Sequence, residues 1–281
     1  MGLREMVNSY FLRHVRFPQC IGRAATTEGF CDACGEYVSF SKKKAIDEDL
    51  ARSWGIGPQT KRAFDLRESM PCSSCQNSYR TRQLAKALLK VFGRGEIDSL
   101  KSLVRDESFR KLKIAEINQL GALHPILEDL PNLYYSEYQS VRRLESVRHE
   151  NLESLTYRDD FFDLVLTSDT LEHVPNLGNA LSEIYRVLRL NGYHIFTVPM
   201  IASRKTRERI ALHGDGTEEK LLPHSFHGRG EPDNLVYREF GWDLLRLLEG
   251  FGFSARIYFY NLIKDDYSYV VVTQELNREG L

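Results

Sequence analysis

The stretch from Phe162 to Val198 restricts the fold more than any other part of the chain. An apolar run, Phe162–Ser168, leads to a helical segment, Leu177–Leu190, and then to a second apolar run, Tyr193–Val198. In the helical segment the apolar residues at 180, 181, 184, 187 and 188 share one face, so that face must be buried. Asn191-Gly192 is expected to cap it in the left-handed manner, with the next strand starting at once. Two strands joined through a helix with one buried face imply parallel pairing with the helix packed on the sheet.

The same alternation extends from Lys111 onward. Further strands are expected at Leu112–Ile117, Leu133–Glu137, Ala255–Tyr260 and Tyr269–Thr273, and further helices at His124–Asp129 and Phe240–Phe251. The fold class this implies is α/β, a Rossmann-like, mostly parallel sheet with helices on both faces. Such sheets bind ligands beyond the carboxyl ends of their strands. Three stretches fall there: the turn EINQLGALHP (Glu116 to Pro125), the strand end at Glu137, and Thr167 to Val174. Glu137 lies 19 residues after Asn118, about the spacing at which a carboxylate meets a ribose diol.

Upstream of this region, four of the five cysteines form two pairs, Cys31-x-x-Cys34 and Cys72-x-x-Cys75, 37 residues apart. Two residues between cysteines let both sulfurs turn toward one point, and two such knuckles make a tetrahedral four-thiolate site. Zn²⁺ is the favoured occupant, in a structural role because the site is closed; an iron–sulfur cluster is the other four-thiolate reading. Disulfides are disfavoured by the odd fifth cysteine, Cys20, which is expected to be a free thiol. Between the knuckles a helix is expected over Asp47–Trp54, broken by Gly55, Gly57 and Pro58. A second, Asn77 to Phe92, follows the second knuckle, and its Arg80, Arg82, Lys86 and Lys90 read as a solvated face before a phosphate-binding one. The module is zinc-ribbon-like, and the chain divides into a tail 1–27, a zinc-binding module with its following helix 28–95, and a larger domain 96–281.

Charge and hydropathy narrow the function classes. Residues 1–110 carry a net charge of +6 and the remainder −7. Four thiolates and one Zn²⁺ would lower the first figure to +4, so nucleic acid is a possible partner that the charge does not favour. No apolar run approaches the roughly 20 residues needed to span a bilayer, and the N-terminus lacks the apolar core of a secretory signal. A cytoplasmic location is expected.

Phe162-Asp163-Leu164-Val165, Leu171-Glu172-His173-Val174-Pro175 and Glu183-Ile184-Tyr185-Arg186-Val187-Leu188-Arg189-Leu190-Asn191-Gly192-Tyr193 together resemble the class I S-adenosylmethionine-dependent methyltransferases. With the knuckles and Cys75-Gln76-Asn77-Ser78-Tyr79-Arg80, residues 28–281 resemble a bacterial group bearing an N-terminal four-cysteine zinc-binding module, whose first loop tends to read Glu-Ile-Asn-x-x-Gly-x-Leu. The resemblance implies S-adenosylmethionine as cofactor, with Glu116, Asn118 and Gly121 bordering its methionine end. It also implies Glu137 on the ribose and Asn151 near the adenine, where the family commonly has Asp. Ser168, Asp169 and Thr170 would lie beside the cofactor. His173 reads as a packed histidine before a catalytic one.

The acceptor side is expected in an irregular lid insert, about residues 199–238. His213, His224 and His227 fall within 15 residues there, and His227-Gly228 matches a pair recurrent in the resembling group. His227 is the first candidate for general base and His224 the second. The same histidines could brace the lid instead. The activity expected is methyl transfer to a hydroxyl of a small molecule or glycan. The alternatives are an RNA methyltransferase docking through the zinc module, and a non-catalytic cofactor-binding protein.

Overall fold

The structure is a computed structural model that describes residues 26–138, 146–201, 203–227, 234–259 and 269–275. Cys20, Gly228 and Tyr260 lie outside them.

An antiparallel hairpin, β1 (Thr26–Phe30) and β2 (Tyr37–Ser41), carries the first cysteine knuckle in its turn. Helix α1 (Glu48–Trp54) is capped by Asp47, which accepts from the Leu50 amide, and ends at Gly55 in the left-handed conformation. A helix absent from the sequence expectation follows at once, α2 (Pro58–Arg67). Gly55 ends α1, and Pro58, expected as a further breaker, instead begins α2, because the first helical position needs no amide hydrogen. Helix α3 (Tyr79–Phe92) starts at the Ser78 cap, and two single-turn helices, α4 (Leu100–Leu103) and α5 (Glu107–Arg110), lead into the main sheet.

The main sheet is built from β3 (Ile114–Ile117), β4 (Leu133–Glu137), β5 (Arg148–His149), β6 (Phe162–Ser168), β7 (Leu188–Thr197), β13 (Phe253–Phe259) and β14 (Tyr269–Glu275). Its order is β13-β14-β7-β6-β3-β4-β5. Strands β5 to β7 through β3 pair in parallel, and β14 inserts antiparallel between β7 and β13. Together with its helices this is the expected Rossmann-like α/β fold. The single turn α6 (His124–Leu127) joins β3 to β4, and α7 (Leu177–Val187) joins β6 to β7.

Helix α7 stops at Val187, one turn short of the expected Leu190, because β7 already begins at Leu188. Asn191 does adopt positive φ, 62°, but within that strand rather than as a helix cap. Gly192 is required beside it, since a Cβ would sit 2.8 Å from the Arg189 carbonyl. The helix expected over Phe240–Phe251 is shorter, α8 (Leu244–Glu249), and is preceded by β12 (Arg238–Gly241).

Two apolar cores sandwich the sheet. On one face Ile114, Leu164, Leu166 and Ile195 pack with Leu84, Leu88, Leu100 and Cys72. On the other, Ala115, Val165 and Phe196 pack with Leu181, Ile184 and Leu245. Adjacent residues of one strand enter opposite cores, as the two-residue period demands. Phe162 departs from that phase because the β6–β7 register shifts between Phe162 and Leu164. The division expected at residue 95 does not coincide with a gap in packing. Helix α3 covers the main sheet, and the cysteine knuckles share its core.

Beyond β7 lie β8 (Met200–Ile201), β9 (Arg207–Glu208) and the hairpin β10 (Ile210–Leu212) with β11 (Glu218–Lys220); β12 pairs with β8 and β9. Glu239 of β12 takes Arg204, Arg207 and buried Arg209 as ion-pair partners. Arg204 and Arg207 also donate to the Trp54 carbonyl, at 3.0 and 3.1 Å. The insert is thereby clamped to α1.

Candidate active site

A cavity of about 410 Å³ opens at the carboxyl ends of β3, β4 and β6. Parallel strands run out together there, and the loops beyond them leave a crevice. Asn118, Glu137, Asn151, Ser168, Asp169 and Thr170 line it. Glu116, Gly121, His224 and His227 do not line it.

The first loop is organised by carboxylates in place of glycines. Glu116 is fully buried beneath it. One of its oxygens accepts from the Leu120 amide at 2.9 Å, and the other from His124 Nδ1 at 2.7 Å. Glu116 therefore braces the turn from below, and burial pushes its carboxyl upward from the usual range. Asn118 has φ of 60° and its Oδ1 accepts from the Tyr138 amide at 2.8 Å, tying the β3 loop to the end of β4. Gly121 also takes positive φ, 61°, where the loop turns into a single 3₁₀ turn.

Glu137 ends β4 at the cavity wall. Its Oε1 accepts from the Gln119 amide at 2.9 Å and from the Tyr135 hydroxyl at 2.6 Å. Among the described residues no hydrogen bond reaches Oε2, which leaves an acceptor for a ligand diol. Asn151 makes an Asx turn, its Oδ1 accepting from Glu153 N at 3.0 Å, and Leu152 adds an apolar wall beside it.

At the end of β6, Asp169 has φ of 49° and both carboxylate oxygens are engaged. Arg67 of α2 grips it with two hydrogen bonds, and Arg80 of α3 lies 3.4 Å away while also pairing with Glu68. Thr197 of β7 donates to the same carboxylate at 2.8 Å. The two arginines hold the Asp169 carboxyl well below the usual carboxylate range despite its burial. Arg80 also donates to Ser168 Oγ. Arg82 stacks over Phe40, 3.8 Å from the ring centroid, and Lys86 lies 3.7 Å from Asp32. On α3, Arg80 and Lys86 are half-buried in ion pairs and Arg82 is buried, because α3 lies against the sheet, while Lys90 is exposed as expected.

Gln119 and His173 belong to the two loops expected there; Leu152, Asn234 and Tyr237 were not named as wall residues. His173 was readable in principle, being three residues beyond the cavity-lining Thr170. Asn234 and Tyr237 were not, since they lie about 60 residues away and arrive with the insert. Tyr237 N donates to the Glu172 carbonyl at 2.8 Å, and Arg238 donates to the carbonyls of Leu171 and Pro175 at 3.1 and 2.8 Å. These bonds seat the insert on the 3₁₀ turn Leu171–His173.

His227 lies behind His173. Its Nδ1 is 3.1 Å from His173 Nε2 and 3.5 Å from Glu172 Oε1, in a small apolar pocket with Trp54, Phe64, Ile201 and Val236. Burial and the adjacent His173 lower its imidazole to about 3. Burial also lowers His173, whose Nδ1 donates to the Leu235 carbonyl at 2.9 Å. Burial followed by the Asp169 charge raises the Glu172 carboxyl well above its ordinary value. His224 is exposed and lies outside both cavities.

In the cysteine cluster, Cys31 Sγ lies 3.7 Å from Cys75 Sγ and Cys34 Sγ 3.8 Å from Cys72 Sγ, with all four sulfurs within 4.8 Å of one another. A tetrahedron with metal–sulfur bonds of about 2.3 Å has sulfur–sulfur edges of about 3.8 Å. The Asn77 side-chain amide donates to Cys75 Sγ at 3.4 Å, supporting a thiolate there.

Residues 131–196 match a family described as a methyltransferase domain. Over 64 residues the chain is 42% identical to the sarcosine/dimethylglycine N-methyltransferase of Halorhodospira halochloris, covering 23% of each protein. Over 42 residues it is 55% identical to the ubiquinone/menaquinone biosynthesis C-methyltransferase of Hydrogenovibrio crunogenus, covering 15% of this chain and 16% of that one. The matched segments thus span less than a quarter of these relatives. Among solved structures, the Burkholderia thailandensis 1,6-didemethyltoxoflavin-N1-methyltransferase aligns over 89% of this chain and 99% of its own, at 15% identity and a TM-score of 0.44. No helix of the described residues is long and apolar enough to cross a membrane. Glu137, Asn151, Ser168, Asp169 and Thr170, which line the cavity, all lie within the segment that matches a methyltransferase domain.

Proposed function

We propose that the protein is an S-adenosylmethionine-dependent methyltransferase acting on a hydroxyl of a small molecule or glycan. The observation that carries the reading is Glu137, with an oxygen left over at the cavity wall, in a segment that matches a methyltransferase domain. The residues fit the cofactor by chemistry. Glu137 Oε2 would accept from ribose hydroxyls, Leu152 and Asn151 would hold the adenine, and Asn118 with Gln119 would border the amino-acid end. When bound, the cofactor supplies a methyl group on a sulfonium, a good leaving group.

The chain's own part is orientation. The Arg67–Asp169 pair fixes the β6 end, Glu116 fixes the β3 loop, and the insert closes the crevice through Asn234 and Tyr237. A hydroxyl acceptor must also lose a proton as its new bond forms. That task falls to the cluster Glu172–His173–His227, with His173 at the cavity wall, His227 a positioning residue behind it, and His224 outside. Against a nucleic-acid acceptor stand the internal contacts that occupy Arg80, Arg82 and Lys86. The four cysteines are proposed to hold one structural Zn²⁺, on the sulfur spacing above. A cytoplasmic location remains part of the proposal.

Isothermal titration with S-adenosylmethionine, on protein with its metal retained, tests the reading. Saturable binding at one site per chain is expected; no binding rejects it.

A further inference from the structure

We propose that Glu172, His173 and His227 form a binding site for one divalent transition-metal ion, separate from the cysteine cluster. One ligand atom from each lies within 4.8 Å of the others. The three separations are 3.1 Å between the two rings, 3.5 Å from His227 Nδ1 to Glu172 Oε1, and 3.7 Å from His173 Nε2 to the same oxygen. A tetrahedral ion with bonds of about 2.0–2.1 Å requires ligand–ligand edges of about 3.3–3.4 Å. The set straddles that value with no rearrangement of backbone.

Two features argue for an ion over a plain hydrogen bond between the rings. His173 donates through Nδ1 to the Leu235 carbonyl, so its Nε2 presents a lone pair to the cluster. An Nδ1–H on His227 could satisfy that lone pair alone. It would leave Glu172 stranded, because both carboxylate oxygens are buried and, among the described residues, neither has a hydrogen-bond partner. A buried carboxyl group without a hydrogen-bond partner is costly in either protonation state, and one cation facing all three groups removes the cost.

The surroundings suit such a site. The apolar neighbours Trp54, Phe64, Ile201 and Val236 exclude water from its back. The nearby cations Arg67 and Arg80 are already matched by Asp169 and Glu68, and Arg238 by Glu208, so they do not forbid a further positive charge. Two imidazoles and one carboxylate select a borderline divalent ion such as zinc, manganese or iron over calcium or magnesium. Two nitrogens and one oxygen leave coordination positions open, unlike the closed cysteine cluster. Of the three ligands only His173 lines the large cavity, so the ion would sit behind that wall and fix the His173 ring against the acceptor side.

This deepens the acceptor side of the methyltransferase reading and rests on it only for that role. The ion itself is tested without any methyl donor. The probe is Co²⁺, titrated into full-length protein whose cysteine cluster is loaded with Zn²⁺ and verified at one zinc per chain. One further equivalent is expected to bind, giving visible d–d bands without the near-ultraviolet thiolate-to-cobalt band that cysteine ligation would produce. Glu172→Gln and His227→Ala should each weaken it at least tenfold, while His213→Ala, an exposed histidine elsewhere in the insert, should not. No saturable second equivalent in the wild type, or one accompanied by the thiolate band, overturns the proposal even if neither variant folds. Equal binding by folded variants does so too. In each of those outcomes the methyltransferase reading stands, with His173 as an imidazole base.

Discussion

Arg67, at the last turn of α2, donates two hydrogen bonds to Asp169, at the end of β6, and its side chain is 1% exposed. The pair joins the N-terminal part of the chain to the strand end that borders the cavity. It is a contact between residues 102 positions apart, so the cavity wall depends on the module that precedes the sheet.

Breaking that pair from one side should be costly. Arg67→Ala leaves a buried carboxylate with Arg80 as its remaining cation and the Thr197 hydroxyl as a neutral donor, and a loss of about 3–5 kcal/mol in urea unfolding is expected. A loss below about 1 kcal/mol would show that Asp169 finds other partners.

Glu137→Ala removes the proposed ribose acceptor. Hydrogen bonds to a charged group are each worth about 1.5–3 kcal/mol, so S-adenosylmethionine should bind at least about tenfold more weakly by calorimetry. Unchanged affinity would take Glu137 out of the cofactor site.

Removal of the proposed zinc should be felt beyond the hairpin, since Cys31, Cys34 and Cys72 share a core with Leu164 and Ile195 of the main sheet. Chelation, or Cys72→Ser, is expected to lower the melting temperature of the whole protein by about 10 °C or more. A melting curve indifferent to chelator, in protein shown to contain zinc beforehand, would confine the cluster's effect to its own knuckles.

Acid should destabilise the fold through His194, which is fully buried, stacked on Phe196 and lowered to about 3 by burial. The unfolded chain binds a proton below about pH 6.5 that the folded chain refuses until about pH 3. Its contribution to stability is therefore complete above pH 6.5 and falls through that window as pH drops. From pH 6.5 to 5 the loss is about 1.6 kcal/mol. Urea midpoints measured across this range should fall more steeply in the wild type than in His194→Gln; parallel slopes would assign the acid limb to other groups.

How much of this was written in the chain can be seen at particular residues. Strands Leu133–Glu137 and Phe162–Ser168 appear with the boundaries their runs imply; for Phe162–Ser168 the reason is burial, which leaves a parallel strand little freedom to start elsewhere. The cysteine pairs converge as their spacing implies, since a knuckle is a local structure. Glu137 was legible as a strand end, and it borders the cavity. Helix α2 was legible in hindsight from Pro58 following two glycines, a helix start as readily as a break.

What the linear order could not state is which distant charges meet. Arg80 reads as a surface cation until α3 is laid against the sheet and buries it beside Asp169. His173 and His227, 54 positions apart, become neighbours only because the insert folds back over the 3₁₀ turn. Local periodicity dictates strands, helices and knuckles, because those depend on residues a few positions apart. Partnerships among buried ionisable groups depend on how whole elements pack, so tertiary structure alone decided them.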